Sequence, residues 1–306
     1  MQTFIYHTKQ WITKMGLMAL LSLGSNAVYA QINVFACEPE WAALTQQLGG
    51  RAVKVFSATT NQQDPHHIQA RPSLIAKVRR ADLLVCTGAE LEIGWLPLLL
   101  RKSGNGKILP GQVGHFMAAD HVVLLEKPTV LDRSHGDIHA AGNPHIHLDP
   151  KRILQISKAL TARLVKIDPA NSELYQQNGL NFQHKWNQAI QEWEQKFKVL
   201  QGKPIVVSHN NWVYLEQWLG LKRVATLEPK PGIPPTSTHL SKVLTRLKQN
   251  PAELILYANY QSGKSARWLS QKTGIPAVGL PFSVSKQETL TQWFDRLLTQ
   301  LLNASS

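Results

Sequence analysis

The chain predicts an α/β fold of two lobes, each built on a four-stranded, mostly parallel sheet with flanking helices. Three observations predict it. Apolar, β-branched runs alternate with amphipathic stretches from Gln31 onward, the runs fall into two sets of four, and a long stretch of helical period separates the sets. The 306 residues are enough for two modest domains.

In the first set the strand candidates are Ile32–Ala36, Val53–Ser57, Asp82–Thr87 and the short Lys107–Leu109. In the second they are Pro204–Ser208, Arg223–Leu227, Glu253–Ala258 and Pro276–Leu280. Helical segments such as Trp41–Leu48, Pro72–Arg79 and Thr238–Lys248 lie between them. Two helical stretches join the sets. Asp149-Pro150 opens the first, with Asp as cap and Pro in the first turn. The second opens at Asp168-Pro169 and runs to about Leu200. Along it Phe182, Trp186, Ile190, Trp193 and Phe197 recur every three or four residues. A helix of that length spans about 45 Å and would act as a stiff spine, with Gly179 marking a place where it could bend. The expected division is 31–167 for the first lobe, 168–201 for the spine and 202–306 for the second lobe.

Residues 1–30 read as a secretory signal peptide. Lys9 and Lys14 make a basic start, Met15 to Leu23 is apolar, and Ala27-Val28-Tyr29-Ala30 ends on small residues. The apolar run is shorter than the about 20 residues a bilayer requires. No cysteine follows it directly, so a cleaved leader without a lipid anchor is expected, with the mature chain starting at Gln31. The net charge is +13, of which the leader's lysines supply two. The remaining basic residues are dispersed and form no nucleic-acid-binding module, so a nucleic-acid partner is not expected. Cys37 and Cys86 are the only cysteines. They form no Cys-x-x-Cys pair, and a disulfide between them stays open.

The twelve histidines are the unusual feature. His66 and His67 follow the second strand in Asp64-Pro65-His66-His67. His145 and His147 follow the first set in Asn143-Pro144-His145-Ile146-His147-Leu148-Asp149-Pro150. His209 ends the run that begins the second set. Ligands of open α/β sheets bind beyond the carboxyl ends of strands, so these three loops suit one metal site in the cleft between the lobes. Neutral imidazole is a favoured zinc ligand, and three leave a fourth tetrahedral position open.

Over nearly the whole chain beyond the leader, these motifs resemble the zinc- and manganese-specific solute-binding proteins of ABC importers. The resemblance is carried by the His66 loop with Arg71-Pro72-Ser73, by Ala81-Asp82-Leu83-Leu84-Val85 and by Gly88-Ala89-Glu90-Leu91-Glu92. Asn143-Pro144-His145, Leu148-Asp149-Pro150, and Val207-Ser208-His209 preceding Tyr214 complete it. It implies two lobes bridged by one long helix, and His66, His145 and His209 as metal ligands, with His67 and His147 as neighbours. It further implies a monomeric periplasmic receptor that carries Zn2+ as cargo to the membrane permease of an importer. Manganese is the alternative cargo.

Two departures stand out. Where many relatives offer an Asp after the last strand, this chain has Gly279-Leu280-Pro281-Phe282-Ser283, and the residue before His66 is Pro65. The fourth ligand is therefore expected to be water or Glu38. The segment before His145 carries only His135 and His139, a candidate low-affinity collecting loop or a plain polar loop. A zinc hydrolase with an open three-histidine site is the reading from another class. No His-Glu-x-x-His segment supports it, and the chain is not expected to be an enzyme.

Overall fold

The computed structural model describes residues 31–128 and 139–305. The leader and His135 lie outside the described residues. No helix among those described is long and apolar enough to cross a membrane.

The first sheet contains β1 (Ile32–Ala36), β2 (Val53–Ser57), β3 (Leu83–Cys86) and β4 (His115–Met117), in the order β2-β1-β3-β4 and parallel throughout. The second contains β5 (Pro204–Val207), β6 (Lys222–Thr226), β7 (Leu254–Ala258) and β8 (Ala277–Leu280). It repeats the pattern as β6-β5-β7-β8. One strand differs from expectation. Lys107–Leu109 is not the fourth strand, because Gly106–Ile108 forms a 3-10 turn opened by Asn105, whose side chain accepts from the Lys107 amide. The fourth strand is three residues long and buries only Phe116.

Parallel strands need covered faces. In the first lobe α1 (Pro39–Gly49), α2 (Pro72–Arg79) and α3 (Leu96–Ser103) supply the cover, each starting on a proline in its first turn. In the second, α6 (Val213–Leu219), α7 (Ser237–Gln249), α8 (Lys264–Thr273) and α9 (Leu290–Ala304) do so. Between them run α4 (Pro150–Ile167) and α5 (Ser172–Lys196). Asp149 caps α4 as expected, its carboxylate accepting from the Lys151 amide.

The spine is shorter than its periodicity implied. Regular α-helix covers 25 residues, about 38 Å, and 3-10 turns at Pro169–Asn171 and Lys198–Leu200 finish the stretch. Gly179 does not interrupt the helix. A Cβ there would stand 2.7 Å from the Thr161 hydroxyl, so the glycine lets α4 and α5 approach closely. The buried face of α5 carries Tyr175, Phe182, Trp186, Ile190 and Trp193. Trp186 donates its indole N–H to the Pro150 carbonyl at the head of α4, and Trp193 donates to Asp295 of α9. The spine is thus pinned to both lobes. One continuous apolar core runs from Val34 and Leu83 of the first sheet, through α5, to Ile205 and Leu254 of the second.

Cys37 and Cys86 form a disulfide, which settles the question the sequence left open. Cys37 immediately follows β1 and Cys86 ends the neighbouring β3, with their Cα atoms 4.8 Å apart. Both are fully buried in the outer core of the first lobe.

Candidate metal centre

Three loops bring imidazoles together at the carboxyl ends of the strands. His66 lies between β2 and α2, in a turn that Asp64 builds by accepting the His66 amide at 3.0 Å. Behind it, Trp95 donates its indole N–H to the Pro65 carbonyl at 2.8 Å, which fixes the loop against α3. His145 precedes the 3-10 turn Ile146–Leu148 that leads into α4, and its amide donates to the Asn143 side chain. His209 stands two residues beyond the end of β5. His145 and His209 are buried, and His66 is partly so. The ring centroids of His66 and His145 are 5.4 Å apart, and His209 is 6.0 Å from each. One nitrogen from each ring lies within 4.8 Å of the others, a group able to hold a metal ion.

Two carboxylates orient this group. Asp64 sits 2.8 Å from Nδ1 of His66, and Glu228, just beyond β6, sits 2.6 Å from Nδ1 of His209. An Nδ1–H donated to a carboxylate fixes the tautomer and leaves the Nε2 lone pair for a metal. The buried Nε2 of His66 has no hydrogen-bond partner, as this arrangement requires. Burial works against ionisation of Asp64, but the hydrogen bonds from the His66 ring and amide help to outweigh it, and the carboxyl is held below its ordinary range. His145 has no such carboxylate. Its Nδ1 is buried without a hydrogen-bond partner, and burial followed by the neighbouring His66 and His209 keeps the ring well below the usual histidine pKa, hence neutral. Neutral imidazole is the form that binds metal.

The remaining candidates fall into place around this cluster. His67 is exposed. His147 turns into the core, stacked on Trp293, with Nε2 3.1 Å from the Phe282 carbonyl and Nδ1 3.5 Å from Glu40. His139 packs its ring 5.4 Å from that of His66 and lines one side of the cleft with His145 and His209. On the other side a cleft of about 460 Å³ is lined by Asp64, His66, His209, Glu228 and Tyr260.

Glu38 is not part of the cluster. As the residue before α1 it is almost wholly buried, and its Oε2 accepts from the Thr87 hydroxyl beside Glu92. Glu92 in turn accepts the Thr87 and Gly88 amides. Burial first, then the charges of Glu92 and Glu40, push Glu38 well above the carboxylate range. The sequence reading missed Asp64 and Glu228, which supply the negative charge it found lacking. Asp64 stands two residues before His66, where an Asp-Pro-His run is itself a turn signal.

Burial raises Glu92 from 4.5 to about 7, against the hydrogen bonds from Glu38 and the backbone. The folded chain keeps a proton there that the unfolded chain releases above pH 4.5. Stability from this group is complete below pH 4.5 and is lost as pH rises to 7. Glu92→Gln should therefore be more stable than the parent at pH 8, by at most about 3 kcal/mol, and the gap should close towards pH 4.5. Melting both proteins across that range checks it; a gap that widens on acidification contradicts it.

Two α/β lobes, each of order 2-1-3-4, stiffly joined and facing one another across a set of imidazoles, define the class of two-lobed solute-binding proteins. Residues 34–304 match the family described as zinc-uptake complex component A, periplasmic, and the chain belongs to that family. It is 27% identical over 224 residues to the high-affinity zinc uptake system protein ZnuA of Bacillus subtilis, covering 69% of this chain and 66% of that one, just under two thirds. The manganese ABC transporter substrate-binding lipoprotein PsaA of Streptococcus anginosus is 22% identical over 281 residues, covering 91% of this chain and 89% of its own. A crystal structure of ZnuA superposes with a TM-score of 0.76 at 20% identity, covering 90% of this chain and all of that one. The family is one of metal-binding receptors and not of enzymes.

Proposed function

We propose that this chain is a zinc receptor that captures Zn2+ as cargo through His66, His145 and His209 and hands it to the permease of an ABC importer. The observation that carries the reading is the convergence of three imidazole nitrogens, two from the first lobe and one from the second, within 4.8 Å of one another. Imidazole suits zinc, whereas manganese prefers oxygen donors. Asp64 and Glu228 orient two of the rings and place two negative charges behind them, so the dication is balanced without a carboxylate bound to it directly. Water fills the fourth position. The zinc uptake relative in Bacillus subtilis agrees with this cargo. Export with cleavage after Ala30 and action as a periplasmic monomer complete the proposal.

Manganese is the second reading, favoured by the length of the match to the Streptococcus anginosus manganese receptor. Titrating purified protein with zinc and with manganese against competing chelators, at pH 7.5 and 5.5, separates them. One zinc per chain is expected, held far more tightly than manganese. Binding should weaken at pH 5.5, because protons compete with metal for imidazole nitrogen. Comparable affinities for the two metals would overturn the zinc reading.

A further inference from the structure

Glu126 lies in the first lobe, between β4 and the His145 loop, and its carboxylate reaches the second lobe. Its Oε1 accepts from Nη2 of Arg223 on β6 at 2.9 Å. Its Oε2 accepts from the side-chain amide of Asn210 at 2.7 Å and from that of Asn143 at 3.4 Å. Asn210 is the residue immediately after His209. The side-chain oxygen of Asn143 holds the His145 amide, and its side-chain nitrogen also donates to the Asn210 carbonyl at 2.8 Å. One carboxylate therefore binds the two asparagines that carry His145 and His209, which belong to opposite lobes. Arg223 closes the ring with a further hydrogen bond to the Asn210 side chain.

Two more observations mark the position. Glu126 has a φ of 51°, in the left-handed region that non-glycine residues adopt at a cost. It also lines the cleft with Asn143, His145, His209 and Asn210 while remaining exposed at its rim. The shared core fixes the lobes at the back; at the rim this carboxylate crosses between them.

We propose that Glu126 is a positioning residue that sets the spacing of His145 and His209 across the cleft and thereby governs how fast bound metal leaves. The proposal rests on those histidines being the zinc ligands, and it touches no metal ligand itself. Loss of the carboxylate leaves every imidazole present but removes its hold on both asparagine side chains, leaving the single Asn143–Asn210 hydrogen bond between the two arms, so the bound state is lost faster while its stoichiometry is unchanged.

The test uses the parent, Glu126→Ala, Glu126→Gln and, as control, Glu253→Gln, which cuts the ion pair with Lys203. Zinc release to a chromogenic chelator gives the dissociation rate. Hydrogen exchange of zinc-free protein reports the backbone around residues 142–146 and 209–211 without metal. Glu126→Ala should release zinc about tenfold faster, as the loss of a charge-assisted hydrogen bond implies. It should still bind one zinc per chain and exchange faster in both segments. Glu126→Gln should fall between it and the parent, since the amide oxygen still accepts, and the control should match the parent. Release within twofold of the parent, or unchanged exchange in either segment, overturns the proposal. A parent that binds no zinc sinks the metal reading, and the proposal with it; unaltered release from a parent that does bind sinks the proposal alone.

Discussion

Zinc should raise the melting temperature by roughly 10 °C, and alanine at His66, His145 or His209 should each remove most of that rise. A ligand at 1,000 times its dissociation constant adds about 4 kcal/mol to the native state, and each kcal/mol shifts a chain of this size by about 2–4 °C. His66 and His145 belong to the first lobe and His209 to the second, so removing any one leaves the ion two imidazoles. His67→Ala should leave the rise intact, because that ring is exposed. Asp64→Asn and Glu228→Gln should act between these extremes, since loss of a partner behind a metal-binding imidazole costs about 10–100-fold in affinity. Thermal melts with zinc and with chelator decide it. Equal effects at His66 and His67 would overturn the ligand assignment.

The Cys37–Cys86 disulfide should account for a loss of about 2–4 kcal/mol when removed. It closes a loop across a sequence separation of 49, long enough to restrict the unfolded chain substantially. Cys37→Ser with Cys86→Ser, or reduction by a dithiol, should lower the melting temperature by roughly 5–15 °C. The zinc-induced rise should survive, because the three imidazoles make no use of the sulfurs. That contrast separates the two effects: histidine variants lose the rise and keep the metal-free melting point, whereas cysteine variants do the reverse. Mass spectrometry of unreduced, alkylated protein that finds two free thiols would contradict the bond.

Seven of the eight strands were legible because parallel strands covered on both faces are nearly continuous apolar runs, as in Leu83-Leu84-Val85 and Leu254-Ile255-Leu256. His115-Phe116-Met117 escaped because it has no β-branched residue and pairs with β3 over three residues only. The spine was overestimated at both ends, since an Asp-Pro start and a following apolar residue do not distinguish α-helix from 3-10 turn; the first turn, Pro169–Asn171, buries nothing and the last, Lys198–Leu200, buries Leu200. Within the site, periodicity placed five histidines on three loops, and only the family resemblance chose among them. Asp64 was readable from its place beside His66. Glu228 was not, because it meets His209 from the end of another strand, 19 residues away, and only the β5–β6 pairing brings them together.

The three converging rings are spaced 79 and 64 residues apart along the chain, and the last of them is residue 209 of 306. A polypeptide that emerges amino-terminus first has two of its three imidazoles, and none of its second sheet, when the first lobe is complete. The carboxylate that steadies His209 comes later still, after β6. No early folding intermediate therefore owns the full set of donors, and an unfinished chain competes poorly for scarce metal. With His66, His145 and His209 as the proposed ligands, capture requires both lobes to be folded.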